Sequence, residues 1–198
     1  MAGSDASDDD LVRRARAGES GAFGELASRH EARVYRVCLR MLGNPEDAWD
    51  ASQDAFVSAL RKLGQFRGDA AFTTWMHRIA VNACYDIMRR DRRQPLLRLA
   101  DADHERDDEF GPPVPDHADA VAGSRDVAAA LAAVPEDFRA ALVLADVEDL
   151  PYDEIAAILG VAVGTVKSLV HRGRLALAKA LGLDREPGAA SHASQEQA

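Results

Sequence analysis

Residues 95–123 read PLLRLADADHERDDEFGPPVPDHADAVAG, with eight acids, two bases and four prolines, three of them at positions 112, 113 and 115. A segment so charged, and so poor in bulky apolar residues in its second half, buries too little surface to order itself. It reads as a flexible acidic linker, and the sequence on either side of it carries helical periodicity. The chain is therefore expected to fold as two small helical domains rather than one.

In the first block a helix is expected over about 8–17, ending near Gly18, and a second after Ser20 as N-cap. Phe23, Leu26, His30, Val34, Val37 and Met41 step by three or four and mark one buried face. Asn44-Pro45 opens a third helix, with Asn as cap, Pro at the first position and Glu46 and Asp47 in the first turn. It runs to Leu63, GQFRGD forms a turn, and a fourth helix spans about 71–90 with the stripe Phe72, Trp75, Ile79, Ala80, Ala83, Ile87. In the second block helices are expected at about 124–133, 135–147, 151–159 and 163–181. The last two are separated by Gly160-Val161-Ala162, the short glycine-containing turn of a helix-turn-helix. The fold class is all-α, with a disordered N-terminus over 1–9, a first domain over 10–94, the linker over 95–123, a second domain over 124–182 and a disordered tail over 183–198.

Composition agrees with helices: hydrophobic residues are 47% of the chain but aromatics only 6%, with Ala, Leu and Val abundant. No apolar run approaches the ~20 residues of a membrane span, and MAGSDASDDD lacks the basic and apolar regions of a signal peptide. These features predict a soluble cytoplasmic protein with no membrane insertion. Cys38 and Cys84 fall on apolar stripes and read as buried free thiols. The six His show no metal-ligand spacing. No metal, cofactor or catalytic residue is expected: the chain has no glycine-rich phosphate loop, nucleophile elbow or paired general acid and base.

Charge is uneven. The net value is −9, yet residues 163–181, VGTVKSLVHRGRLALAKAL, hold two Lys and two Arg and no acid. On a helical wheel of ~100° per residue, Val166, Val170, Gly173 and Leu177 form the inward face. Lys167, Ser168, His171, Arg172 and Arg174 face outward. The second helix of a helix-turn-helix enters the major groove. Bases there neutralise phosphates or read guanine, Ser and His bond to base edges, and acids would repel the backbone. MRRDRR, residues 88–93, forms a second basic cluster where the fourth helix runs out. Phe66, Phe72 and Trp75 lie upstream of it. Aromatics beside bases suit unstacked single strands; Phe72 and Trp75 read as core, and Phe66, in a turn, as the exposed contact. The third helix carries an acidic strip of Asp47, Asp50, Gln53 and Asp54 with no base before Arg61. That face would repel DNA and is either solvated or a docking surface for a basic protein.

Three stretches resemble one family. DAWDASQDAF (47–56), FRGDAAFTTWMHRIAVNAC (66–84) and LPYDEIAAILGVAVGTVKSLVHRGRLAL (150–177) are similar, in this order, to the polymerase-docking, promoter-melting and helix-turn-helix segments of bacterial RNA polymerase sigma factors. The branch is the short extracytoplasmic-function (ECF) one of the sigma-70 family, and the FRGD and TTWMHRI details resemble the actinobacterial sigma-M subgroup. The resemblance implies that the first domain is sigma region 2 and the second is region 4. Asp47, Asp50, Gln53, Asp54 and Phe56 would dock on the clamp coiled coil of core RNA polymerase. Phe66, Arg78, Asn82 and Arg89 would hold the melted start-proximal (−10) element, at the cost of flipping a base. Thr165, Lys167, Ser168, His171, Arg172 and Arg174 would read the start-distal (−35) element of promoter DNA as duplex. It also implies an anti-sigma partner and a free monomer with mobile domains. Two departures weaken the distal grip: Leu169 stands where the family often has a base, and Ala162 where a capping Ser is usual. A free-standing dimeric helix-turn-helix regulator is the alternative. It fits the acidic third helix and MRRDRR poorly.

Overall fold

The computed structural model describes residues 6–93 and 121–183, which are helical with no strand among them. Most of the expected linker lies outside the described residues, as do the first five residues and the tail beyond Leu183.

The first block has four helices. α1 spans Asp8–Arg16, where a helix is expected over about 8–17, and takes in Asp8 and Asp9 of the 1–9 stretch expected to be disordered. Ser7 accepts a hydrogen bond from the Asp10 amide, and Asp8, Asp9 and Asp10 sit at the positive end of the helix dipole. Arg29 donates to the Asp8 carboxylate at 2.7 Å, and His30 Nε2 lies 2.6 Å from it, so the start of α1 is tied to α2. α2 spans Ala22–Leu42. Its cap is Gly21, at φ 91°, not Ser20; the chain turns there through a left-handed conformation that glycine adopts without penalty. α3 spans Pro45–Lys62, capped by the Asn44 side chain on the Glu46 amide. A 3-10 turn at Leu63–Gln65 follows, and α4 spans Phe72–Arg93, so MRRDRR is helical to its end.

The second block begins earlier than expected, with α5 over Val121–Ala133. α6, Glu136–Leu142, continues into a π turn over Val143–Val147. α7 spans Tyr152–Leu159 and α8 spans Val163–Ala180. Gly160 closes α7 at φ 69°, and the axes of α7 and α8 are bent by 96° from one another. That is the geometry of a helix-turn-helix. Val166 and Val170 on α8 and Ala156 on α7 are all buried.

The two blocks are not separate. One apolar cluster runs from Leu11 through Met88 and on into Ala140, Leu144, Ile155, Ile158 and Val166. Arg139, on α6, is buried and donates to the carbonyls of Met41, Ala132 and Val134, joining the last turn of α2 to the end of α5. Cys38 and Cys84 are free and buried in the first block. The Cys84 thiol is raised well above its ordinary pKa by its hydrogen bond to Cys38 and by burial.

Candidate polymerase and nucleic-acid interfaces

The inner face of α3 is made of small residues, with Ala48, Ala51, Ser52, Ala55 and Ala59 fully buried, so α3 lies close against its neighbours. Phe56, expected at a docking surface, is 9% exposed and belongs to this core. It supports the helix from behind and offers no surface to a partner. Asp50, Gln53 and Asp54 are exposed and Asp47 is half-buried. Sequence reasoning missed Val57 and Leu60 on this helix, 46% and 55% exposed. They follow Gln53 at i+4 and i+7, so an apolar patch continues the acidic strip by one turn. The signal was present: with the buried stripe filled by alanines, bulkier aliphatics at the remaining positions must point outward.

The turn between α3 and α4 carries a second correction. Phe66 is 6% exposed. Its ring centroid lies 6.0 Å from Phe72 and 5.1 Å from Trp75, and Phe72 and Trp75 are 5.7 Å apart. Three aromatic rings in mutual contact bury far more area than a single exposed ring would. Trp75 is the half-buried member that reaches the surface. Arg16, on α1, holds the turn by donating to the carbonyls of Phe66 and Gly64 at 3.3 and 3.4 Å. Arg78, Asn82 and Arg89 are exposed along α4, and their spacing puts them on one face. Arg89 is engaged by Asp86 and by the Tyr85 carbonyl. An open cleft of about 250 Å³ lies beside this face, lined by Phe66, Thr74, Trp75 and Arg78 and, from α7, by Ala157 and Ile158.

On α8, Thr165, Lys167, Ser168, His171 and Arg172 are exposed, and no acid interrupts them. Ser168 donates to the Gly164 carbonyl, and the Arg172 guanidinium stands 5.9 Å from the Phe138 ring. Arg174 is exposed but paired: Nε and Nη2 donate to the Asp146 carboxylate at 3.0 and 2.6 Å. It is therefore less available to DNA than the wheel implies. No side chain caps α8 at Ala162, and Leu169 packs partly against the core.

Comparison with known proteins gives the family. The sigma-70 region 2 family matches residues 26–94, and sigma-70 region 4 matches residues 124–177. The ECF RNA polymerase sigma factor SigM of Mycobacterium tuberculosis is 40% identical over 89% of this chain and 85% of its own. The chain belongs to the ECF sigma factors. SigW of Bacillus subtilis is 32% identical over 86% of this sigma factor and 94% of its own length. Among solved structures, the Bartonella quintana sigma factor RpoE, in complex with the anti-sigma factor NepR, superposes with a TM-score of 0.63 at 25% identity, covering 83% of this chain and 99% of that one. CnrH, in complex with the cytosolic domain of CnrY, gives 0.63 at 27%, covering 89% and 98%.

Within the sigma factor, the contacts between the two regions were not legible from the sequence. Glu148 of region 4 is buried, its side chain 0% exposed. It accepts from Arg33 Nε at 2.6 Å and from Arg36 Nε at 2.9 Å. His77 Nε2 is 3.7 Å from it, beyond hydrogen-bond reach, and both His77 ring nitrogens are buried without a partner. Burial lowers the His77 pKa to about 4, so the ring is neutral near neutral pH. Thr74 donates to Glu154 at 2.7 Å. Arg92 pairs with Glu136, and the Tyr85 hydroxyl donates to Asp137 at 3.4 Å.

Proposed function

We propose that this sigma factor docks on core RNA polymerase, directs it to specific promoters and promotes their melting, as a non-catalytic cytoplasmic subunit. Region 2, over 10–94, meets the polymerase clamp through Asp47, Asp50, Gln53 and Asp54, with Val57 and Leu60 adding apolar contact. Its face along Phe66, Arg78, Asn82 and Arg89 takes the unstacked strand of the start-proximal element. Phe66 acts there as the floor of the cleft and Trp75 as the stacking surface. Region 4, over 124–182, lays α8 in the major groove of the start-distal element, with Lys167, Ser168, His171 and Arg172 foremost. Thr165 stands at the helix entry, and Arg174 contributes after it exchanges Asp146 for phosphate. One observation supports this reading above the rest: α8 presents exposed bases and no acid, at 96° to α7, in a chain whose net charge is −9.

An anti-sigma factor is the expected inhibitor, supported by the likeness to a sigma factor solved with one. The test is run-off transcription from a library of promoter fragments with core polymerase, with and without the factor. Specific transcripts that require the factor are expected. Tight binding to a palindromic site without polymerase, and no factor-dependent transcript, would instead favour a dimeric regulator.

A further inference from the structure

We infer that the free factor latches itself: region 4 closes on the single-strand face of region 2 through Glu148 and Glu154, while the duplex-reading face of α8 stays open. Region 4 is acidic where it meets region 2. Residues 125–182 hold eight acids, and four of them, Glu136, Asp137, Glu148 and Glu154, contact region 2. The facing groups are Arg92, Tyr85, Arg33, Arg36 and Thr74. Residues 11–95 carry 15 bases and 10 acids, so the faces are complementary in charge.

Geometry sets what the contact does. Thr74 and Trp75 belong to the segment read as promoter-melting, and Glu154 takes the Thr74 hydroxyl. Ala157 and Ile158 of α7 wall the cleft that Trp75 and Arg78 open into. A strand entering that cleft meets region 4, and the Glu154 carboxylate repels its phosphates. Glu148 is the strong point of the latch. Its carboxylate is dry and held by two guanidinium groups, and reversing the charge on either side sets like charges against each other at a buried site. By contrast Lys167, Ser168, His171 and Arg172 face away and remain exposed. The closed factor is therefore masked toward single strands and unmasked toward duplex.

This inference rests on the reading that the Phe66–Arg89 face takes the unstacked strand, so its test separates the two. Fluorophores at Ala32→Cys and Ala180→Cys, both exposed sites, report the distance between regions in the full chain; the native thiols are buried and unlabelled. At low salt the parent shows one short distance. Glu148→Arg and, independently, Arg36→Glu shift the population to long distances by about tenfold or more, and the double swap restores the short one. In parallel, the open variants bind a fluorescein-labelled single-stranded oligonucleotide of mixed sequence about tenfold more tightly than the parent. Circular dichroism checks that each variant is folded, and Arg36→Glu tests the latch from the side opposite Glu148. A parent already open at low salt, or distances that neither variant moves, overturns the latch. Opening with oligonucleotide binding as tight in the parent as in the open variants overturns the masking and keeps the single-strand face, whereas opening with no oligonucleotide binding in any form overturns the assignment of that face.

Discussion

Gly173 is where α8 meets α6 backbone to backbone. A Cβ placed there would lie 2.9 Å from the Phe138 carbonyl oxygen and 3.3 Å from the Leu142 side chain. Gly173→Ala therefore forces α8 away from α6, and a loss of about 1–3 kcal/mol is expected from urea unfolding of the full chain. Gly164, in the first turn of the same helix, has nothing within 4 Å of its Cβ position. Gly164→Ala is expected to stabilise by about 0.5 kcal/mol, because it removes only unfolded-chain freedom. The pair separates close approach from helix propensity. His77 supplies a pH dependence. Its folded pKa is about 4, below the ordinary 6.5, so the unfolded chain binds the proton first. Stability is thus full above about pH 6.5 and falls as pH drops toward 4, by roughly 3 kcal/mol in all. His77→Phe should flatten that window, read as the difference between the two urea midpoints at each pH.

At the level of the helix, sequence period and function separate cleanly. On α8 the apolar spacing located Val166, Val170 and Gly173 inside and the bases outside, because a helix repeats every ~3.6 residues whatever lies around it. Lys167→Ala and Arg172→Ala should each weaken binding of region 4 to start-distal duplex and reduce its salt slope by about 1, read by fluorescence anisotropy across a salt series. Arg174→Ala should change that slope less, since its guanidinium already has Asp146 as partner. On α3 the same period found the acidic strip, whereas Phe56 was placed at the docking surface by the family resemblance and is buried. An aromatic residue next to an alanine stripe packs inward when the neighbouring helices are close enough to cover it. Asp54→Lys is expected to lower affinity for core polymerase at least tenfold, with Leu60→Ser lowering it further, measured by competition for core. Unchanged affinity in both would remove α3 from that interface. The burial of Phe66 was likewise illegible, because its partners are fixed by how a turn folds back on a helix and not by any local period.

Across the molecule, what the sequence could not disclose is pairing over long separations. Charge totals show a basic first block and an acidic second one, but not that Glu148 meets Arg33 and Arg36, more than 100 residues earlier. Such contacts depend on the three-dimensional route of both blocks, which no window of residues contains. They also alter what kind of object the factor is. Two domains on a flexible tether unfold independently, each with its own midpoint. Here the apolar cluster is continuous from Leu11 to Val170, and Arg139 binds the Met41 carbonyl across the junction. Unfolding either region strips the other of part of its core and leaves Glu148 or its arginines unmatched. Calorimetry of the full chain at low salt should therefore show one cooperative transition. Glu148→Gln weakens the junction without touching contacts inside region 4, since among the described residues every hydrogen-bond partner of that carboxylate lies in region 2. It should split the transition into two. Raising salt in the parent should move it the same way, because Arg33 and Arg36 are about half exposed and ions screen them. Two resolved transitions in the parent at low salt would mean that the junction adds contact area but no thermodynamic coupling.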